Sequence, residues 1–315
     1  MDTILIVGVD TVVGANLAAV LSESAAVSGL TRSRGMAGAG PIGGCEVLSD
    51  GGERSIRHVL GRVRPQHVVF CGPGADSCWD QAPRLAFSGD SVSHMRAWAR
   101  AAQETASGFT LISSDAVFTG PRMFHPETSP GLCESQPARI LREAEAAVLE
   151  AHASALVVRT HVFGWTPEAC GAGWIERELA RLEQRTPGAH DPFRHATPLL
   201  ATDFAEVLQQ AWRESLSGLY HIAGAERTNP ARFAQRLAQE FALAAPVASR
   251  PETLLECPRG FGCGETSLRT GAIRRALGIS LPSLSDGLRR LREQAENGYR
   301  DRLNGSTAPR RQQAA

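Results

Sequence analysis

The chain has 315 residues, 43% of them apolar, and its 33 basic residues balance 33 acidic ones, so it can bury a full core in one large or two moderate domains. A neutral chain has no field to hold a phosphate backbone, which argues against nucleic acid as a partner. No apolar run approaches the roughly 20 residues of a membrane span, and Met1-Asp2 leads into Thr3-Ile4-Leu5-Ile6-Val7 without a basic leader, so a cytoplasmic protein is expected.

Short β-branched runs alternate with Ala/Leu/Arg-rich stretches through the first half. Ile4–Val7, Ala25–Leu30, Val47–Leu48, Val68–Phe70, Leu111–Ile112 and Leu156–Val158 read as buried strands. Val12–Ser22, Glu53–Arg62, Ser91–Glu104 and Glu134–His152 read as the helices between them. Strand–helix alternation with right-handed crossovers gives an α/β fold with a Rossmann-like, doubly wound parallel sheet.

After Arg159 the alternation breaks at a Gly/Trp/Pro-rich loop, Gly164–Gly173, followed by a helix near Ile175–Gln184 and the turn-rich Thr186–Pro198. The chain then returns to the sheet through Asp203–Arg213 and Leu219–Ala223, before a helix at Pro230–Phe241, a Pro/Gly-rich segment at Pro246–Gly264 and a last helix at Ser285–Asn297. The expected organisation is a dinucleotide-binding domain over residues 1–160, rejoined by 196–224. A smaller, discontinuous C-terminal substrate lobe covers 161–195 and 225–298, and residues 299–315 form a flexible tail.

Ile4–Val7 runs into Gly8-Val9-Asp10-Thr11-Val12-Val13-Gly14 and then a helix, the context a dinucleotide site requires. Gly8 would allow the tight turn and Gly14 the close packing of helix on strand, with Thr11 where a middle glycine would be expected. Gly8, Thr11, Val13 and Gly14 are therefore candidate cofactor contacts, against the alternative of a turn kept for folding. Arg32 and Arg34 follow the second strand, where an Arg suits a ribose 2′-phosphate. This favours NADP(H) over NAD(H) if a cofactor binds, with a solvated loop pair and no cofactor as the alternative.

The seven cysteines, Cys45, Cys71, Cys78, Cys133, Cys170, Cys257 and Cys263, are odd in number and scattered, as suits reduced thiols. Cys257 and Cys263 do not have zinc spacing, so no metal site is expected.

Leu111-Ile112-Ser113-Ser114-Asp115-Ala116-Val117-Phe118-Thr119-Gly120, followed by His125-Pro126-Glu127-Thr128-Ser129-Pro130, resembles the active-site strand of dTDP-4-dehydrorhamnose reductases and, more broadly, of extended short-chain dehydrogenases. The resemblance extends to Val158–Gly164, Thr197-Pro198, Asp203-Phe204-Ala205, Gly218–Gly224 and Thr266-Ser267-Leu268, and so covers roughly residues 3–293. It implies a reductase in which a Ser or Thr and a Tyr hold the substrate carbonyl, with a Lys four residues after the Tyr. Ser114 falls on the first of these positions.

Counting back from Glu145, which matches the acidic residue closing the Tyr-x-x-x-Lys segment, puts Pro137 at the Tyr position and Leu141 at the Lys position. The tyrosine of such an enzyme is a general acid whose pKa a neighbouring ammonium lowers; Pro137 has no side-chain proton. No shift of alignment restores the pair, because the chain contains no Lys, and its two tyrosines are Tyr220, in a strand, and Tyr299, in the expected tail. Cys71-Gly72-Pro73 stands where the resemblance leads one to expect Asn-Ala-Ala, and Ser88 where it leads one to expect a structural Asn. Cys71 and Gly72 would border the nicotinamide.

Three readings follow. The first is a non-catalytic nucleotide or sugar-nucleotide binder, such as a regulatory subunit. The second is an NADP-dependent nucleotide-sugar reductase or epimerase in which Ser114 holds the carbonyl and His125, Asp115 or Arg139 moves protons; His125 reads alternatively as a surface loop residue. The third is a structural subunit with a closed cleft, its apolar helix Glu134–His152 packing against a second copy or a partner protein. Arg159, Arg194 and Arg259 are candidate diphosphate clamps. Phe163, Trp165, Trp174 and Phe193 are candidate stacking groups or, alternatively, core.

Overall fold

In the computed structural model the described residues are 2–31, 41–49, 53–80, 89–188, 193–246 and 260–305. The first strand, β1 (Thr3–Val7), shows how the layers are specified. Ile4 and Ile6 enter one hydrophobic cluster while Leu5 and Val7 enter another, because successive side chains of a strand point to opposite faces. Both faces of this strand are apolar, so helices must cover both.

Six further strands follow it into the sheet: β2 (Ala26–Thr31), β3 (Glu46–Ser49), β4 (His67–Cys71), β5 (Gly108–Ser114), β6 (Leu156–Thr160) and β9 (Gly218–His221). The seven are parallel and run in the order β3-β2-β1-β4-β5-β6-β9. One face carries α2 (Glu53–Val63), α3 (Gly89–Glu104) and α4 (Gln136–Ala151), which contribute Ile56, Leu60, Trp98, Ala144 and Val148. The other carries α1 (Val12–Leu21), α5 (Trp174–Glu183), α6 (Ala201–Arg213) and α7 (Pro230–Glu240). A two-stranded parallel ribbon, β7 (Val162–Phe163) with β8 (Leu199–Leu200), lies beyond β6. After it the chain adds α8 (Gly271–Leu277) and α9 (Leu284–Glu296).

The C-terminal end departs from the expected tail. Tyr299–Leu303 forms a further helix, α10, because Gly298 adopts a left-handed φ of 79° that redirects the chain. Tyr299 and Leu303 are buried, and the Tyr299 hydroxyl donates to Asn16 Oδ1 of α1 at 2.7 Å. Residues 306–315 of that tail lie outside the described residues, as do Arg32, Arg34, Ser88, Cys257 and Arg259.

Candidate functional site

The sheet order reverses between β1 and β4, and the loops leaving the C-terminal ends of β1, β4, β5 and β6 meet at that edge. This is where a doubly wound sheet opens a crevice to ligands.

The β1 loop is built by two glycines. Gly8 sits at φ 87°, and a Cβ there would fall 2.0 Å from the Cys71 carbonyl oxygen; one at Gly14 would fall 2.2 Å from the Gly8 oxygen. No other residue type fits either position without moving backbone. Thr11 is the N-cap of α1: its hydroxyl accepts from Gly14 N at 3.0 Å and donates to the Gly8 carbonyl at 2.8 Å. Asp76 Oδ1 faces Val12 N at 3.5 Å. The helix N-terminus, whose orphan N–H groups attract anions, is thus met by one hydroxyl and one carboxylate of the chain itself. Val13 points into the core, so its side chain is not a cofactor contact. Cys71 is buried behind Gly8, and Gly72 opens a short 3-10 turn, Pro73–Ala75.

The α4 side is apolar. Pro137 occupies the first turn of α4, where a missing N–H and a fixed φ are tolerated. Leu141, one turn on, is fully buried and packs with Val117, Phe118, Ala223 and Leu268. It crowds Gly74 so closely that a Cβ there would be 3.3 Å from Leu141 Cδ2 and from Ser113. Arg139 is on the exposed side of the helix, paired with Glu134 at 2.8 Å, which removes it from the proton-moving candidates.

The guanidinium of Arg159 is taken. It forks onto Glu145 at 2.9 and 2.5 Å, with both side chains buried, and stacks 4.9 Å above the Phe118 ring. Ser113 also donates to Glu145. A buried guanidinium already satisfied by a carboxylate is not available to a diphosphate, so this candidate clamp is a core ion pair. Phe163 is likewise core rather than substrate contact, being fully buried edge-on to Phe233 at 5.2 Å. Trp165 is buried and donates to the Leu291 carbonyl, and Trp174 packs on Phe233. Phe193 is exposed, and Arg194 Nη2 reaches Cys263 Sγ at 3.5 Å.

His125 is not a surface residue. It is fully buried, stacked on Phe118 at 4.5 Å, with Nδ1 against Ser129 Oγ at 2.7 Å and Nε2 against the Glu265 carbonyl at 3.2 Å. Burial holds its pKa below the usual histidine value, with the Glu265 carbonyl and carboxylate opposing the shift. Both ring nitrogens are committed to the protein, which does not suit the relocated acid role. His221, fully buried behind it, is pushed down to about 3 by burial, assisted by the Arg159 charge.

Ser114 and Asp115, at the C-terminal end of β5, are also buried, and two residues that the sequence did not single out, Cys78 and His161, stand with them. Asp115 Oδ2 is 3.0 Å from His161 Nδ1 and accepts from Thr266 Oγ1 at 2.6 Å. Its Oδ1 accepts from Ser114 Oγ at 3.3 Å and from Cys78 Sγ at 3.6 Å. Cys78 Sγ is 3.7 Å from His161 Nδ1, and His161 Nε2 is 2.9 Å from Ser77 Oγ. Burial, then the Asp115 charge, pushes the Cys78 thiol well above its ordinary range, with Arg194 opposing. The signal available in the sequence was positional: Cys78, Asp115 and His161 follow the adjacent strands β4, β5 and β6 on the ligand side.

The guanidiniums presented to solvent are also different from those expected. Arg122, Arg269 and Arg274 line an open cavity of about 540 Å³ together with Met123 and Phe124. Phe124 holds a left-handed φ of 52°, costly for a non-glycine residue. No helix among the described residues is long and apolar enough to cross a membrane.

No curated protein matches the sequence. Among solved structures, the dTDP-4-dehydrorhamnose reductase of Bacillus anthracis str. Ames in complex with NADP superposes with a TM-score of 0.73 at 16% identity, over 93% of this chain and 100% of its own. The UDP-glucose 4-epimerase of Thermotoga maritima with UDP-glucose gives 0.74 at 14% identity, over 95% and 100%. The Bordetella bronchiseptica enzyme WbmH in complex with NAD+ gives 0.69 at 14%, over 95% and 100%. At such identities the likeness shows the fold. The family itself comes from a model of the RmlD substrate binding domain that matches residues 1–296. The chain therefore belongs to the RmlD substrate binding domain family, a reductase-like, sugar-nucleotide-binding family.

Proposed function

We propose that this protein binds a nucleotide or nucleotide sugar at the C-terminal edge of its sheet without the ketoreductase chemistry of a Tyr–Lys pair. The observation that carries this reading is Leu141. It fills the position at which a lysine would have to stand between nicotinamide ribose and tyrosine, it is fully buried, and no lysine exists elsewhere in the chain. Loss of a positioned general acid alone removes on the order of 10²- to 10⁴-fold in rate.

Binding is supported by the glycine loop, whose two backbone approaches leave Gly8 and Gly14 as they would be in a working dinucleotide turn. Similar folds hold NADP, NAD+ or UDP-glucose in their own structures. A nicotinamide cofactor, if bound, supplies hydride; this chain's part is to place it over Gly8–Gly14 and to set a ligand oxygen near Ser114. NADP(H) is the favoured dinucleotide because Arg32 and Arg34 follow β2. Arg122, Arg269 and Arg274 are the guanidiniums best placed to meet a ligand phosphate. The ligand lies between the Rossmann domain and the lobe made by 161–195 and 225–298.

Titration with NADPH, NADH, dTDP-sugars and UDP-sugars, followed by tryptophan fluorescence and thermal shift, tests the reading. A ligand at 100 times its Kd stabilises the native state by about 2.7 kcal/mol. Binding without turnover of a 4-keto nucleotide sugar is the expected result. Turnover at ordinary reductase rates overturns the non-catalytic part, and no shift with any nucleotide overturns the binding part in favour of a structural subunit.

A further inference from the structure

The geometry points to a divalent transition-metal site, best suited to Zn²⁺, held by Cys78 Sγ, Asp115 carboxylate and His161 Nδ1, with the Ser114 hydroxyl beside it at 3.3 Å from Asp115 Oδ1. The three donor atoms lie within 4.8 Å of one another. Zinc bonds of about 2.0–2.3 Å around a tetrahedron require donor–donor edges of about 3.3–3.7 Å. Cys78 Sγ lies 3.7 Å from His161 Nδ1 and 3.6 Å from Asp115 Oδ1, and His161 Nδ1 lies 3.0 Å from the other carboxylate oxygen, Oδ2. The two sulfur edges already have the required length, and the carboxylate, which meets sulfur and imidazole through different oxygens, turns or ligates through both when an ion replaces the hydrogen-bonded protons.

The supports are those a metal site needs. Asp115 and His161 directly follow the adjacent parallel strands β5 and β6, so the sheet sets their spacing, and Cys78 is brought to them by the loop that follows β4 and its 3-10 turn Pro73–Ala75. The non-ligating nitrogen of His161 is held by Ser77 Oγ at 2.9 Å, and the Trp79 ring stands edge-on to the imidazole at 4.6 Å. Thr266 fixes Asp115 at 2.6 Å. Such outer contacts set the tautomer and the aim of the ligands. A thiolate and a carboxylate neutralise a doubly charged ion, as a buried site demands. A set with one sulfur, one nitrogen and one oxygen donor selects zinc or a similar borderline metal over Mg²⁺ or Ca²⁺. Three protein ligands are the complement of a catalytic zinc site, in which water or a carbonyl oxygen takes the fourth position and is polarised. The site stands whether or not a dinucleotide binds.

Chelator-treated full-length protein titrated with Co²⁺ and Zn²⁺ provides the test. One equivalent of Co²⁺ is expected to give a tetrahedral visible band with a sulfur-to-metal charge-transfer band, both displaced by Zn²⁺. Cys78→Ser abolishes the charge-transfer band and weakens Zn²⁺ by more than about 100-fold, beyond the 10- to 100-fold expected for Ser77→Ala in the outer contacts. Cys263→Ser leaves both unchanged. Alkylation of the unaltered protein is independent of how the variants fold: Zn²⁺ should protect Cys78 and not the partly exposed Cys170. An octahedral Co²⁺ spectrum without charge transfer, equal Zn²⁺ affinity in Cys78→Ser, or alkylation of Cys78 unaffected by metal each overturns the proposal.

Discussion

The glycine loop after β1 and the α4 face across the crevice meet the same ligand edge, yet they have diverged differently from the pattern their family resemblance implies. In the loop one position differs, Thr11, and its hydroxyl is absorbed into capping α1. On α4 the two positions that the resemblance assigns to Tyr and Lys, Pro137 and Leu141, are apolar, and Leu141 is part of the core. The difference has a physical source. Gly8 and Gly14 are required by backbone contacts that exist with or without a ligand, so the fold itself needs them. A Tyr–Lys pair is required only by chemistry, and an interior ammonium is costly when that chemistry is absent.

The largest expected effect lies under the α4 face. Glu145→Ala leaves Arg159 buried without its carboxylate and should cost about 3–5 kcal/mol, whereas replacing both partners by methionine should be close to neutral. Urea midpoints of the two variants check this. Equal losses would mean that the pair contributes through packing alone, and that the polar remnant of the α4 side is not an ion pair held by its partner.

Next in size is the attempt to place a Tyr–Lys pair at the two positions the resemblance assigns to it. Leu141→Lys places an ammonium among Val117, Phe118 and Leu268, and should destabilise by about 3 kcal/mol. Pro137→Tyr/Leu141→Lys should gain no NADPH turnover with a 4-keto nucleotide sugar. A stable, active double variant would break the comparison outright, because it would show the α4 face to be a vacant active site and not core.

Acid comes third. Burial pushes the His221 imidazole down to about 3 in the folded protein, against the usual histidine value of about 6.5, so the unfolded state takes up its proton first. Stability from this group is intact above pH 7 and falls as pH drops through 6.5 toward 3, by about 2 kcal/mol between pH 7 and pH 5. Asp203, raised to about 7 by burial with the Arg290 charge opposing, binds its proton more tightly when folded and acts in the opposite direction over the same range. Comparing wild type with His221→Gln at both pH values isolates the histidine. A difference that does not change with pH removes His221 from the neutral, desolvated interior beside the α4 face.

The sequence-based strands and helices lie close to their places because β-branched runs and amphipathic stretches are local signals, and the glycine loop was legible for the same reason. Less local features were not. His125 looked like a loop residue, but its burial depends on Phe118, Ser129 and Glu265, the last 140 positions away. Arg159 looked like a phosphate clamp until Glu145, on another element, claimed it. Tyr299 looked like tail because nothing nearby announces its hydrogen bond to Asn16, 283 positions earlier. The Cys78, Asp115 and His161 cluster left only a positional trace for the same reason: each follows a different strand, and it takes the sheet order and the loop after β4 to unite them.

The smallest effect tests whether Thr11 belongs to the fold or to the ligand. As the N-cap it should cost about 1 kcal/mol on replacement by alanine, but only a few tenths by glycine, whose backbone conforms to the cap. A glycine here also removes a Cβ from the position where a dinucleotide loop carries its middle glycine so that the backbone can approach the pyrophosphate. Thr11→Gly should therefore keep nearly full stability and bind NADPH at least as tightly as wild type, while Thr11→Ala loses stability. If Thr11→Gly instead loses NADPH affinity by ten-fold or more while its melting temperature holds, the hydroxyl is a ligand contact. The single departure in the loop would then be a gain for binding, and the contrast with α4 would be sharper still.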